Sequence, residues 1–395
     1  MLEEKVTSID RLTYVDGIRG IASMLVVLCH LACVFVPDLY LPKGEISVLE
    51  KIWLNTPLNI FTNGNFAVQC FFVLSGFGIT RKVYYGGGDS LREPFQIYVK
   101  LLHVVVPAVL LTAMLMCSKQ LYHIKALALN EKLQFVEDYN VFSVTFRRVI
   151  YDIFVRTFKL KSIFVGPFWT IRYELLGSVL VYFLAWYANN LKKRQKLFYV
   201  GVIMLFRIWL PSEYRSFVYG AFVFECVYRW QKDVSILGRI VDCIRKSRMC
   251  FLLQWIIGIY LCTCNLTFSG MYAPLNAFAN GGLIRASGCA ILLYCIVNSK
   301  SAQQVFSFRL FVDLGKISQY VYAFHWPIIL SIGCGLYIVL YNIPYVLAVW
   351  IISVVVIFAT CVISAIYTSI LPNIIILEKR LGRKAVECFK RINPW

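Results

Sequence analysis

The sequence predicts an all-α integral membrane protein with about ten transmembrane helices and both termini cytoplasmic. Three observations lead there. The 395 residues are 59% hydrophobic and 15% charged, with a mean hydropathy of +0.68, far less charged than the roughly 25% of a soluble globular domain. Apolar runs of about 20 residues, enough to cross ~30 Å of hydrocarbon as a helix, recur along the whole chain. Lys and Arg gather in alternate connections between those runs.

Residues 1–13 are polar and mixed in charge, so the first apolar run, 18–37, reads as an uncleaved span and not as a leader. Further spans are expected at 60–80, 97–117, 168–188, 198–210, 215–230, 250–266, 282–298, 319–341 and 345–371. The fifth and sixth are short, carry Arg207 and Glu225, and are separated by "LPSEY", which suits tilted spans or a partly re-entrant hairpin. The N-terminus, 81–100, 189–197, 229–249, 299–318 and the C-terminal tail hold 25 Lys and Arg, whereas the short opposite loops hold Lys43 and Lys51 alone. By the positive-inside rule the basic side is cytoplasmic, and both termini lie on it. The formal charge of +19 therefore reports topology and not nucleic-acid binding. The sequon at Asn265 falls on the outer side.

Between the third and fourth spans, "FRRVIYDIFVRTFK" repeats Ile150, Phe154 and Phe158 every four residues, opposite Arg148, Asp152 and Arg156. This amphipathic pattern fits a helix over 145–159 lying on the outer membrane surface, or a soluble helix capping the bundle. No repeat and no second soluble domain interrupt the chain, so residues 1–395 form a single transmembrane domain. The fourteen cysteines sit mostly singly in apolar segments and read as packing residues; the close pair Cys262 and Cys264 has no ligand partners nearby, and no metal is expected.

Ionisable side chains inside spans are costly and mark candidate functional positions. Here they are Arg19, His30, Arg172, Glu174, Arg207, Glu225, Arg285 and His325. Eleven residues at about 100° each leave Arg19 and His30 about 20° apart on one helix face and about 16 Å apart along it. Arg19 belongs at the cytoplasmic rim, beside Asp16, and His30 deeper in the membrane. An anionic group held at the rim can send an extended arm inward to a base, and acyl-CoA has that shape. The bland alternative is a rim arginine on lipid phosphate and a histidine bonded within the bundle. The second span places Asn65, Gln69 and Ser75 among apolar residues; Ser75 with its following glycine also suits a helix-packing surface. Arg81 ends that helix, either gripping phosphate with Arg19 or anchoring the helix. In "GPFWTIRYELLGS", Trp169 opens the fourth span and Glu174 falls at a depth comparable to His30, where a carboxylate orients an imidazole; pairing of Glu174 with Arg172 or Arg285 is the alternative. His325 precedes Trp326 and Pro327, and the proline frees a backbone carbonyl.

Taken together, "DGIRGIASMLVVLCH", "FFVLSGF", "FWTIRYELLGS" and "LGKISQYVYAFHWPII" resemble, in order, four segments of the membrane acyltransferase 3 family, the third in its fungal form. The "LLHVVVP" run also resembles a family segment, where Lys100 and His103 supply fewer basic residues than relatives often carry. The resemblance implies acyl transfer from acyl-CoA, acetyl-CoA foremost, to a hydroxyl of a carbohydrate, lipid or secondary metabolite. Carried onto this sequence, it implies His30 as the essential histidine and Arg19 as its partner, with Ser75, Arg81, Glu174 and His325 in the other segments. The expected arrangement has Arg19, Arg81 and Ser75 toward the acyl-CoA, His30 and Glu174 in catalysis, and Asp16, Gln69, Trp169 and His325 around the pocket. The partners expected are the lipid bilayer, acyl-CoA and a hydroxyl-bearing acceptor, in a eukaryotic endomembrane or plasma membrane. A proton-coupled transporter of a small anionic or acylated compound is the alternative, since buried Arg, His and Glu also build transport sites.

Overall fold

A computed structural model describes residues 11–40, 42, 47–86, 92–130, 133, 142–191, 202, 211–229, 247–264, 271–278 and 281–392, with side chains as far as residue 376. Every regular element among them is helical. The helices are α1 (Thr13–Phe35), α2 (Val48–Asn55), α3 (Gly64–Gly86), α4 (Arg92–Cys117), α5 (His123–Leu129), α6 (Phe146–Tyr151), α7 (Trp169–Asn190), α8 (Ser212–Phe224), α9 (Arg248–Cys262), α10 (Gly281–Val297), α11 (Lys300–Phe306), α12 (Arg309–Ile328) and α13 (Tyr345–Ile392).

Among the described residues, six stretches are long and apolar enough to cross a membrane: Thr13–Phe35, Gly64–Gly86, Glu93–Cys117, Gly166–Asn189, Arg309–Val339 and Tyr345–Ile376. A seventh results if α10 and α11, bent by 106°, count as one broken span. These match the expected spans at 18–37, 60–80, 97–117, 168–188, 319–341 and 345–371, and α10 lies at the one expected at 282–298. The segment at 250–266 is the 15-residue α9, and that at 215–230 is the 13-residue α8 followed by a π turn at Glu225–Arg229. The 15 residues of α9 rise only about 22 Å, short of the ~30 Å a span needs, whereas α8 and its π turn together run 18 residues, about 27 Å. The expected span at 198–210, with Arg207, and the sequon at Asn265 lie outside the described residues.

The molecule is organised around α1 and α12. The apolar windows of these two helices are each 72% buried, against 22% for α13, which therefore lies at the periphery. Glycines let α1 and α12 touch backbone to backbone: a Cβ on Gly20 would lie 2.3 Å from the Phe311 carbonyl, and one on Gly315 would lie 2.1 Å from the Asp16 carbonyl. This is the role of the glycines in "DGIRG" and "LGKIS". The same device joins α3 to α8, where Gly76 faces the Phe217 carbonyl and Gly220 the Val73 carbonyl. The Ser-Gly pair of span two is thus divided, its glycine serving helix packing. Beyond Pro327, α12 passes through a π turn at Ile329–Gly333, with Ser331 Oγ donating to the Pro327 carbonyl at 2.6 Å. There the Leu330 carbonyl accepts from the Tyr122 N–H, docking the segment after α4.

The expected amphipathic helix at 145–159 forms as α6, a π turn at Asp152–Arg156 and a last turn at Thr157–Lys159. Its position and inner face differ from expectation. Tyr98 donates to the Phe154 carbonyl at 3.4 Å and its ring lies 4.8 Å from that of Phe158. Tyr98 precedes Cys117, the far end of α4, by 19 residues, about 28 Å of helix. The segment therefore folds back along the first part of α4 and does not rest on its far end. Asp152 is fully buried, accepting from Ser162 Oγ at 2.5 Å and Ile163 N at 3.0 Å, while Phe146, Ile150 and Phe154 face outward. A buried carboxylate with two donors is a satisfied polar group and not part of a solvated charged row.

Candidate active site

Two cavities lie one after the other along α1. The first, about 240 Å³, is walled by α1, α3, α4, α7 and α12. Its charged lining is Arg11, Asp16, Arg19, Lys100, Glu174 and Lys316, with Ser75 beside them. Four cations against two carboxylates favour an anionic ligand. Asp16 accepts from Arg11 Nε, and Lys316 donates to Asp313 at 2.6 Å. Glu174 accepts from Ser75 Oγ at 2.7 Å and has Arg19 and Lys100 as its charge neighbours.

The second cavity, about 200 Å³, is lined by His30 together with Cys29, Cys33, Tyr40, Asn65, Trp169 and Trp326, and its floor is the Gly166–Pro167 turn that leads into α7. Val68 and Tyr322 line both cavities and are the residues the two linings share. His30 Nδ1 lies 2.9 Å from the Val26 carbonyl, one helical turn back. A carbonyl only accepts, so Nδ1 carries the proton, and in the neutral ring Nε2 is left as a base. His325 is fully buried, its ring centroid 4.9 Å from that of His30, and its Nδ1 likewise reaches a carbonyl, that of Val321 at 3.2 Å. Its Nε2 has no hydrogen-bond partner among the described residues.

The residues expected from the sequence thus divide into groups. Asp16, Arg19, Ser75 and Glu174 meet in the first cavity; His30 and Trp169 meet in the second, with His325 packed behind His30. Glu174 bonds to Ser75 and lines a different cavity from His30. The cause is the start of α7: Gly166 and Pro167 already stand at the level of His30, so Glu174, five residues past Trp169, lies about 7.5 Å further toward the Arg19 end. Neither alternative partner of Glu174 is engaged either, since Arg172 donates to the Lys159 carbonyl at 3.2 Å and Arg285 to the Cys264 carbonyl at 2.9 Å. Arg81 and Gln69 line neither cavity. Arg81 lies over the Tyr85 ring, 5.8 Å from its centroid, and Gln69 accepts from Ser216 Oγ. Each is six residues from Ser75, which turns it about 120° away from the cavity face of α3. Sequence reasoning missed Arg11, Lys316 and Tyr322 and gave Lys100 too little weight. Tyr322 stands three residues before His325 on the same helix face, a spacing that was available to find it.

The sequence profile of the acyltransferase domain matches residues 12–368. The match runs through both cavities and ends within α13, and the chain belongs to this acyltransferase family. The six long apolar helices among the described residues and this membership define a multi-pass membrane acyltransferase. No curated protein and no solved structure matches the chain.

Proposed function

We propose that the protein transfers an acyl group, acetyl foremost, from acyl-CoA to a hydroxyl of a carbohydrate, lipid or secondary metabolite, with His30 as general base. One observation carries this reading: a histidine with Nδ1 committed to a carbonyl and Nε2 left basic stands in a cavity that adjoins a cation-rich one. The CoA phosphates lie on the cytoplasmic side against Arg19, Lys100 and neighbouring cations, and the pantetheine arm runs along α1 toward His30. The acceptor occupies the His30 cavity from the other side. His30 Nε2 takes the hydroxyl proton as the oxygen bonds to the thioester carbon. The carbon–sulfur bond then breaks, and the CoA thiolate leaves with the proton returned through His30. Positioning and general base catalysis are the catalytic terms, the second supplying roughly a hundred to ten thousandfold.

Ser75 and Glu174 belong to the donor cavity in this scheme. Glu174 holds Arg19 and Lys100 in place by charge, and Ser75 fixes the carboxylate. His325 packs against the base and sets its ring orientation. In this reading the enzyme works in a eukaryotic endomembrane or plasma membrane, where cytoplasmic acyl-CoA meets acceptors from the opposite face; the fungal form of "FWTIRYELLGS" supports the compartment. Purified protein in lipid nanodiscs, given labelled acetyl-CoA and acceptor from membranes of the producing cell, is expected to release CoA and form a labelled product. Uptake of label into vesicles without CoA release would support a transporter instead.

A further inference from the structure

The acyl-transfer reading requires the thioester to pass from the cation-rich cavity to the level of His30. Val68 and Tyr322 are the residues lining both cavities. Both are held firmly. The Tyr322 hydroxyl donates to the Pro167 carbonyl and stands 2.6 Å from the Thr170 hydroxyl, while its ring stacks on Phe168 and meets Phe71 edge-on, each at 6.4 Å. Val68 is 8% exposed and packs in a cluster with Phe72 and Phe217. Close-packed groups fixed on several sides yield little to a bulkier ligand.

We propose that Val68 and Tyr322 form a septum between the donor and acceptor cavities, and that this septum limits the length of the acyl group accepted. The inference rests on the acyl-transfer reading. A thioester carbonyl brought to the septum leaves an acetyl group at the opening. A longer chain has two ways forward, and both are unfavourable. It displaces Tyr322 from its Pro167 tether, or it enters the cavity of about 200 Å³ that the acceptor must also occupy. Pocket walls discriminate in this way by about tenfold or more for small changes in chain length.

The test is equilibrium binding to the full chain in nanodiscs, with labelled CoA displaced by unlabelled CoA, acetyl-CoA and octanoyl-CoA. Wild-type protein is expected to bind octanoyl-CoA about tenfold more weakly than acetyl-CoA. Val68→Ala, which widens the septum, and Tyr322→Phe, which keeps the ring and removes its tether, are each expected to shrink that ratio by about fivefold. The ratio is internal to each variant, so a general loss of stability cancels; should Val68→Ala fail to fold, the conservative Tyr322→Phe decides. If CoA itself does not bind wild-type protein, the acyl-transfer reading falls and the septum with it. If CoA binds but octanoyl-CoA binds as tightly as acetyl-CoA, or the ratio is unchanged in the variants, the septum alone is refuted.

Discussion

Gly315→Ala tests how the crossing of α1 and α12 holds the site together. The new Cβ would lie 2.1 Å from the Asp16 carbonyl oxygen, where such atoms essentially never come within 3.0 Å, so the two helices must part by about 1 Å. No flexible side chain can yield, because the obstacle is backbone. Overpacking of this kind costs about 1–3 kcal/mol. The strain acts beside Asp16, Arg19 and Lys316, which share one cavity, and a misplacement of about 1 Å can cost about a hundredfold in rate. Gly315→Ala is therefore expected to lower Tm in detergent, weaken CoA binding and reduce CoA release. Gly78→Ala is the control, since a Cβ there meets nothing within 4 Å and alanine favours helix by about 1 kcal/mol. If Gly315→Ala matches Gly78→Ala in Tm and CoA affinity, the reasoning about this crossing is wrong.

Three further outcomes are expected. Lys100→Ala should raise the Kd for CoA about tenfold through loss of a charge-assisted contact and flatten the salt dependence of binding; Arg81→Ala, whose side chain lies over Tyr85 outside the cavity, should change the Kd much less in the same titration. Asp152→Ala should lower stability by about 1–3 kcal/mol, read as Tm, because Ser162 Oγ and the Ile163 N–H lose their acceptor. His325→Phe should lower the rate of acyl transfer while leaving CoA affinity near that of wild type; equal effects on both would deny it a role in orienting His30.

Part of the site was legible because α1 carries Asp16, Arg19 and His30. Arg19 and His30 are both fixed by the rise and turn of α1, so counting residues places them correctly relative to each other. What the count could not reach was the relation between helices. Counting from an outer-surface start of the fourth span sets Glu174 near the depth of His30, with Arg172 and Arg285 as alternative partners, whereas the entry turn of α7 already stands at the level of the His30 cavity. Arg81 had the right depth for a rim residue and the wrong rotation, turned by about 120° from Ser75. The amphipathic period at 146–159 was read correctly as helix, but the inner face goes to Val149, Asp152 and Ile153, because Asp152 finds donors in the Ser162–Ile163 turn, a contact between segments that periodicity does not encode. Hydropathy likewise marks 250–266 as a span, without showing that its helix, α9, stops after 15 residues.

The central claim is that His30 removes the acceptor proton, and His30→Ala tests it most directly. The measurement is transfer of labelled acetyl from acetyl-CoA to acceptor by the purified variant in nanodiscs, alongside its affinity for CoA. The account predicts a fall in transfer of roughly a hundred to ten thousandfold with CoA binding retained, since the phosphates are held in the other cavity. Transfer at the wild-type rate in the variant would contradict it.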